Sequence, residues 1–152
     1  MAITPNTTFT AGAVLTAAQM NRLPWGIMGT ASLTSSQTGI SALTDITSLT
    51  VTFTADSTRY YRTTIWSLVR QNTAAGTPVI QITDGSNAQK TEGDFYIGAA
   101  GNFGTLCVQC IETGLTGSTT RKGRAVTASN TMDVIASSTF PAFILVEDLG
   151  QA

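Results

Sequence analysis

Histidine is absent from this 152-residue chain, cysteine occurs twice, proline four times, and charged residues make up only 11%. Without histidine there is no imidazole general base, no Ser-His or Cys-His nucleophile pair and no imidazole metal ligand, which removes most hydrolase mechanisms. Charge at 11%, against about 25% in an ordinary soluble domain, and a formal net of −1 leave little electrostatic protection against association. Much of the surface is therefore expected to be covered by copies of the chain or by partners. A sequence pI near 5.1 supplies no broad positive field, so no nucleic-acid partner is expected. No stretch approaches 18 apolar residues, and MAITPNTTF has neither a basic n-region nor an apolar h-region. Neither a membrane span nor a signal peptide is expected, and the Asn6-Thr7-Thr8 sequon then carries no weight.

What is present is threonine, roughly one residue in five or six against an ordinary background, on a 42% apolar chain long enough for one domain with a sizeable core. In TSLTVTFTA, Leu49, Val51 and Phe53 alternate with Thr50, Thr52 and Thr54, the pattern of a half-buried antiparallel strand. RYYRTTIWSLVRQ places Tyr61, Ile65 and Val69 on one face and Trp66 and Leu68 on the other, which predicts a central strand covered on both sides. WGIMGTASLT and PVIQIT read as further strands, SSQTGI as a turn, and DGSN as a tight hairpin whose Asp-Gly pair suits positive φ. Two short strands, RAVTA and TMDVIAS, are expected around Ser129-Asn130. The closing FPAFILVEDLG alternates Phe143, Leu145 and Glu147 with Ile144 and Val146, so this final strand is expected to be buried on both faces. About eight short strands with frequent turns and one brief helix predict an all-β, antiparallel sandwich or jelly roll.

Chemistry-bearing residues are few. Cys107 and Cys110 form a Cys-x-x-Cys in LCVQCIET, where strand alternation groups Leu106, Val108 and Cys110 on one face and Cys107 with Ile111 on the other. Redox and zinc sites need convergent sulfurs, and zinc needs two more ligands, so both thiols are expected as small buried apolar residues and no metal or cofactor is expected. Carboxylate chemistry needs only two acids across a cleft. Glu92 and Asp94, in the glycine- and aromatic-rich segment 91–104 expected as an ordered loop or an edge segment, are the pair to watch. With Phe95, Tyr96 and Phe103 they form the candidate outward-facing binding loop. Arg121, Lys122 and Arg124, expected in a glycine-bounded loop, and Arg59-Tyr60-Tyr61-Arg62 are basic clusters too small to bind nucleic acid through phosphate contacts. Nothing in the pattern argues for an enzyme.

Ahead of the strands stands FTAGAVLTAAQMNRLP. Thr16 followed by Gln19 is a capping-box pattern and Pro24 ends the segment, so a helix of about seven residues is expected, too short to survive alone in water. Its apolar residues must dock, and Phe9, Leu15, Met20, Leu23 and Trp25 are the candidates. They could dock on the chain's own sandwich as a lid or on a neighbour. The expected organisation is an attachment arm over residues 1–24 and a sandwich over residues 25–152.

FTAGAVLTAAQMNRLPWGIMG resembles the N-termini of tailed-bacteriophage structural proteins, and FPAFILVEDLG resembles their C-termini. Between them QTGISALTDITSLTVTFTADSTRYYRTTIWSLVRQ is similar to small virion proteins of the head-decoration, minor-tail or fibre type. The strand order and the STFPAF ending also resemble the trimeric jelly rolls of the tumour-necrosis-factor and complement C1q type. These resemblances imply a non-enzymatic virion surface protein and a homo-oligomer, expected as a trimer with Tyr60, Tyr61, Phe95 or Tyr96 near its axis. Implied partners are major capsid or tail proteins and, for a tail component, a host-surface glycan; a membrane partner is not implied. The implied location is the outer surface of head or tail after assembly in the host cytoplasm. No site residues carry over from the resemblance.

Overall fold

The structure is a computed structural model that describes Val14 and residues 17–152. Among the described residues the chain forms α1 (Ala17–Met20), β1 (Gly26–Leu33), β2 (Gln37–Ile40), β3 (Thr44–Ala55), β4 (Arg59–Gln71), β5 (Pro78–Asp84), β6 (Gln89–Asp94), β7 (Phe103–Glu112), β8 (Gly117–Thr127), β9 (Met132–Ile135) and β10 (Ala142–Gln151). The helix is one turn. The expected cap at Thr16 lies outside the described residues.

One sheet runs β1-β10-β4 and continues through β9 to β2, with β7 on the other edge of β4; the second runs β3-β8-β5-β6. All pairings are antiparallel. With the four-residue strands β2 and β9 set aside, the other eight, counted in chain order, fall as 1-8-3-6 and 2-7-4-5. That interleaving is a jelly roll, in which each sheet takes strands from both halves of the chain.

Alternation decides what each strand buries. Leu49, Val51 and Phe53 point inward from β3, Tyr61, Ile65 and Val69 from β4, Ile80 and Ile82 from β5, and Ile144 and Val146 from β10, all buried. Each fully buried aliphatic side chain contributes about 1.5–3 kcal/mol of transfer free energy. Thr50, Thr52 and Thr54 face water as expected. Tyr61 differs from its expected place near an oligomer axis: its ring packs 5.2 Å from Phe53 in the core, and its hydroxyl accepts from the Asp56 amide at 2.8 Å. An odd position on β4 points into the sandwich, so this ring is closed to any partner.

Several expected loops are strands. SSQTGI contains β2, held because buried Asp133 on β9 accepts from the Gly39 amide at 2.9 Å. Arg121, Lys122 and Arg124 lie on β8, not in a loop, and Glu92 and Asp94 lie on the edge strand β6, the second of the two forms expected for their segment. RAVTA and TMDVIAS are strands as expected, the end of β8 and β9, and they lie in opposite sheets. In the β5–β6 hairpin the left-handed residue is Asn87, φ 69°, not Gly85. There the Asp84 carboxylate accepts from the Ser86 and Ala88 amides at 2.9 Å each, and the Lys90 ammonium pairs with it at 3.0 Å. These donors hold the Asp84 carboxyl below its usual range.

Candidate attachment site and the opposite loops

Residues 17–25 are tied to the sandwich by one buried charge pair. Arg59 opens β4, and its guanidinium meets the Asp148 carboxylate of β10, contacting it through Nε and, at 2.7 Å, through Nη2. Both side chains are almost completely out of water, at 3% and 0% exposure. Two buried ions are tolerable only if their remaining hydrogen-bonding capacity is used. Here it is. Arg59 also donates from Nη1 to the Asn21 carbonyl and from Nη2 to the Leu23 carbonyl, each at 2.6 Å. Asp148 Oδ1 accepts from the Trp25 amide at 3.2 Å and the Gly150 amide at 2.7 Å. Burial pushes the Asp148 carboxyl upward, but Arg59 and the two amides outweigh it and leave the group below its usual value.

The Trp25 ring lies under the Arg59 guanidinium, 3.9 Å from ring centre to Cζ, a cation–π contact. Gly150, at φ +105°, lets the chain pass so closely that a Cβ there would meet the Arg22 carbonyl at 2.9 Å. Arg22 Nε donates to Gln151 Oε1 at 3.1 Å, closing the ring of contacts. The root of the expected arm thus docks on its own sandwich. Its apolar side chains follow only in part: one side of Trp25 meets Arg59, and Met20, Leu23 and Trp25 remain 51%, 48% and 54% exposed. Phe9 and Leu15 lie outside the described residues. Beside the root is an open cleft of about 520 Å³, bordered by Gln19, Asn21, Trp25, Asp56, Arg59 and Gln151. The Asp56 carboxyl there is held below its usual range by the Thr58 amide and hydroxyl.

The second candidate set lies at the other end of the sandwich. From Arg59 to Gln71 β4 spans twelve steps, about 40 Å at about 3.3 Å per residue. Near Gln71 the chain meets Asn102, while Phe103 pairs in register with Arg70, and Gly76 bridges Ile97. Tyr96 and Phe103 are 69% and 55% exposed there, with the Arg70 guanidinium 5.8 Å over the Phe103 ring. Phe95 turns inward instead. It packs against the core, so near Gly104 that a Cβ on that glycine would come within 1.9 Å of the Phe95 ring. Glu92 and Asp94, two apart on β6, share one outward face, and Glu92 accepts from Gln81 Nε2 at 2.9 Å. A pair on one face of one strand does not flank a cleft as a glycosidase pair must.

Seven of the eight basic side chains are engaged with carboxylates: Arg59, Arg62, Arg70, Lys90, Arg121, Lys122 and Arg124. Lys122 and Arg124 share Asp45, whose carboxyl they hold below its usual range. The basic clusters in the sequence are therefore spent on ion pairing within the chain. Cys107 is exposed, which corrects its expected burial, whereas Cys110 is half-buried with its thiol pushed up to about 11, chiefly by burial. Their divergence is the one expected from strand alternation. Among the described residues no group of three or more Cys, Asp and Glu side chains could hold a metal ion.

These features define an antiparallel jelly-roll domain with a docked N-terminal root at one end and exposed aromatics at the other. No known protein family and no curated protein matches the chain. Among solved structures it is similar to the enzymatically active domain of tailspike protein 4 from bacteriophage CBA120, at 13% identity and TM-score 0.28, over 77% of this chain and 19% of that one. It is also similar to a chain from infectious bursal disease virus, Gx strain, at 13% identity and TM-score 0.38, over 98% of this chain and 42% of that one. The chain thus spans less than half the length of either. Neither likeness bears on function.

Proposed function

We propose that this protein is a non-enzymatic structural component of a tailed-bacteriophage virion, an oligomer of three copies that attaches through its N-terminal segment and serves as a capsid decoration protein. The observation that carries the reading is the two-ended layout. A root pinned by Arg59 and Asp148 presents Met20, Leu23 and Trp25 at one end, about 40 Å along β4 from exposed Tyr96 and Phe103. Half-exposed apolar side chains on a backbone already held in place are suited to gripping a neighbouring subunit, because the ordering entropy of the root is met within the chain. The resemblance of both terminal segments to tailed-phage structural proteins supports the same reading. Exposed Tyr96 and Phe103 favour a second reading, a minor tail or fibre protein that presents this end to a host-surface glycan.

The test is to label the protein on intact particles and to compare wild type with a Met20→Ser/Leu23→Ser variant. Both positions are exposed, so the variant is expected to melt like wild type yet fail to enter particles. Label over the head supports decoration, and label on the tail moves the protein to the second reading. No label on any particle, or normal incorporation of the variant, overturns the attachment proposal.

A further inference from the structure

The two outer faces of this sandwich differ in kind. Outside the β3-β8-β5-β6 sheet lie threonines such as Thr50, Thr52 and Thr54, with Lys122 and Arg124 paired to Asp45. Outside the β1-β10-β4-β7 sheet the same alternation puts Trp66 and Leu68 of β4, Phe143 and Leu145 of β10, and Ile111 of β7. Register makes these neighbours: Trp66 pairs with Phe143 on one side and Cys107 on the other, and Thr64 pairs with Leu145. Phe140 adds its ring edge-on to Trp66 at 5.0 Å, while Phe143 stacks on Trp66 at 6.0 Å. Ile111 is 61% and Phe140 46% exposed. Thr64, Thr105 and Gln109 share this face, but its Trp66, Phe140 and Phe143 cluster has no aromatic counterpart among the described residues of the threonine face, and contiguous apolar patches of this kind mark interaction surfaces.

We infer that this face is where copies of the chain associate, an inference that rests on the oligomer proposed above and assigns its interface. The charges on the face select a second copy as the occupant. Arg62 is paired with Glu147 and Arg70 with Asp133, so the face is neutralised from within and offers a charged partner nothing to complement. A neutral apolar surface is met by one of the same kind, and this chain carries one. Its net charge of −1 adds almost no repulsion between copies. The extent suffices. Four strands about 4.8 Å apart and eight residues along β4 give a flat footprint on the order of 500 Å². Side-chain relief brings this toward the roughly 800 Å² per partner of a standard interface. Cys107 sits midway along the edge strand β7, beside Trp66, as a built-in reporter.

The test is light scattering on the full chain at micromolar concentration, with maleimide labelling of Cys107. Leu145→Arg places a charge at the centre of the face, and Thr54→Arg places one on the opposite face. Expected are an oligomeric wild type and Thr54→Arg variant, a monomeric Leu145→Arg variant with strand circular dichroism retained, and Cys107 labelling slowed about tenfold or more in the assembled protein. An oligomeric Leu145→Arg variant, or Cys107 labelled equally fast in assembled and dilute wild type, overturns the face while the oligomer stands. A monomeric wild type overturns the oligomer itself. Concentration-dependent protection of Cys107 in wild type tests the face even if Leu145→Arg fails to fold.

Discussion

Replacing Arg59 by methionine keeps most of the aliphatic stem and removes the guanidinium, so it isolates what the charge does at the root. Asp148, with no side-chain exposure, is left as a buried carboxylate holding only the Trp25 and Gly150 amides. Removing one partner of a buried ion pair costs about 3–5 kcal/mol. The Asn21 and Leu23 carbonyls are only partly buried and can turn to water, so they add little. For a domain of this size 1 kcal/mol moves the melting midpoint by about 2–4 °C, giving an expected loss of about 6–20 °C at pH 7. The pH dependence gives the sign. In wild type the Asp148 pKa is lowered, so its stabilisation is full above the unfolded value of about 3.9 and is lost as pH falls through the folded one. In Arg59→Met burial is opposed only by the two amides, so that pKa rises from its wild-type position, the variant gains relative stability on acidification and its deficit is smaller at pH 4 than at pH 7. Arg59→Met/Asp148→Asn, which keeps an acceptor for both amides without the charge, is expected to recover more than half of the loss. Thermal unfolding followed by circular dichroism at both pH values decides it. A midpoint shift below about 2 °C, or a deficit that does not shrink at pH 4, refutes the assignment of Arg59 and Asp148 as the fastening of the root.

Two further outcomes follow from the geometry. Gly104→Ala drives a methyl into the Phe95 ring and is expected to cost about 1–3 kcal/mol in urea denaturation, largely relieved when Phe95→Leu is added; an additive double variant would contradict that contact. In a Cys107→Ser variant the remaining thiol, Cys110, is half-buried with a pKa near 11, so it is expected to resist alkylation at pH 8 until denaturant is added, and rapid labelling of the native variant would contradict its placement.

Much of the fold was legible because alternation is local. TSLTVTFTA, RYYRTTIWSLVRQ and LCVQCIET each divide their residues between faces as the two-residue period predicts, but the outer faces of β4 and β10, expected to be covered, are only half-buried at Trp66, Leu68, Phe143 and Leu145. The errors have two physical sources. Glycine and hydroxyl content suggested a loop at 114–123 and a loop or edge segment at 91–104, yet β8 runs through most of the first and β6 takes the start of the second, because outward charged residues find ion-pair or amide partners across the sheets. The fastening of the root was illegible because Arg59 and Asp148 stand 89 residues apart in sequence, and the register that joins them is set by the whole β4–β10 pairing. Nothing local singles the pair out, because Arg59 shares its strand with Arg62 and Arg70, and Asp148 stands beside Glu147. The aromatic segment gave the exposed Tyr96 and Phe103 but not the inward turn of Phe95, which depends on the space left by Gly104.

The pairing of β1 with β10 has a mechanical consequence. Gly26 stands opposite Asp148 and Leu33 opposite Ala142, so the strand that continues from the root runs its own full length along residues 142–148 of its partner. A pull on residues 20–25 along the strand axis, resisted elsewhere in the sandwich, loads those hydrogen bonds in shear, all at once, and does not peel them one at a time. The Arg59 fastening takes the load before the first of them. Jelly-roll wiring thus gives a tether built for tension, one whose lifetime under force is set by an unfolding rate rather than by an equilibrium stability.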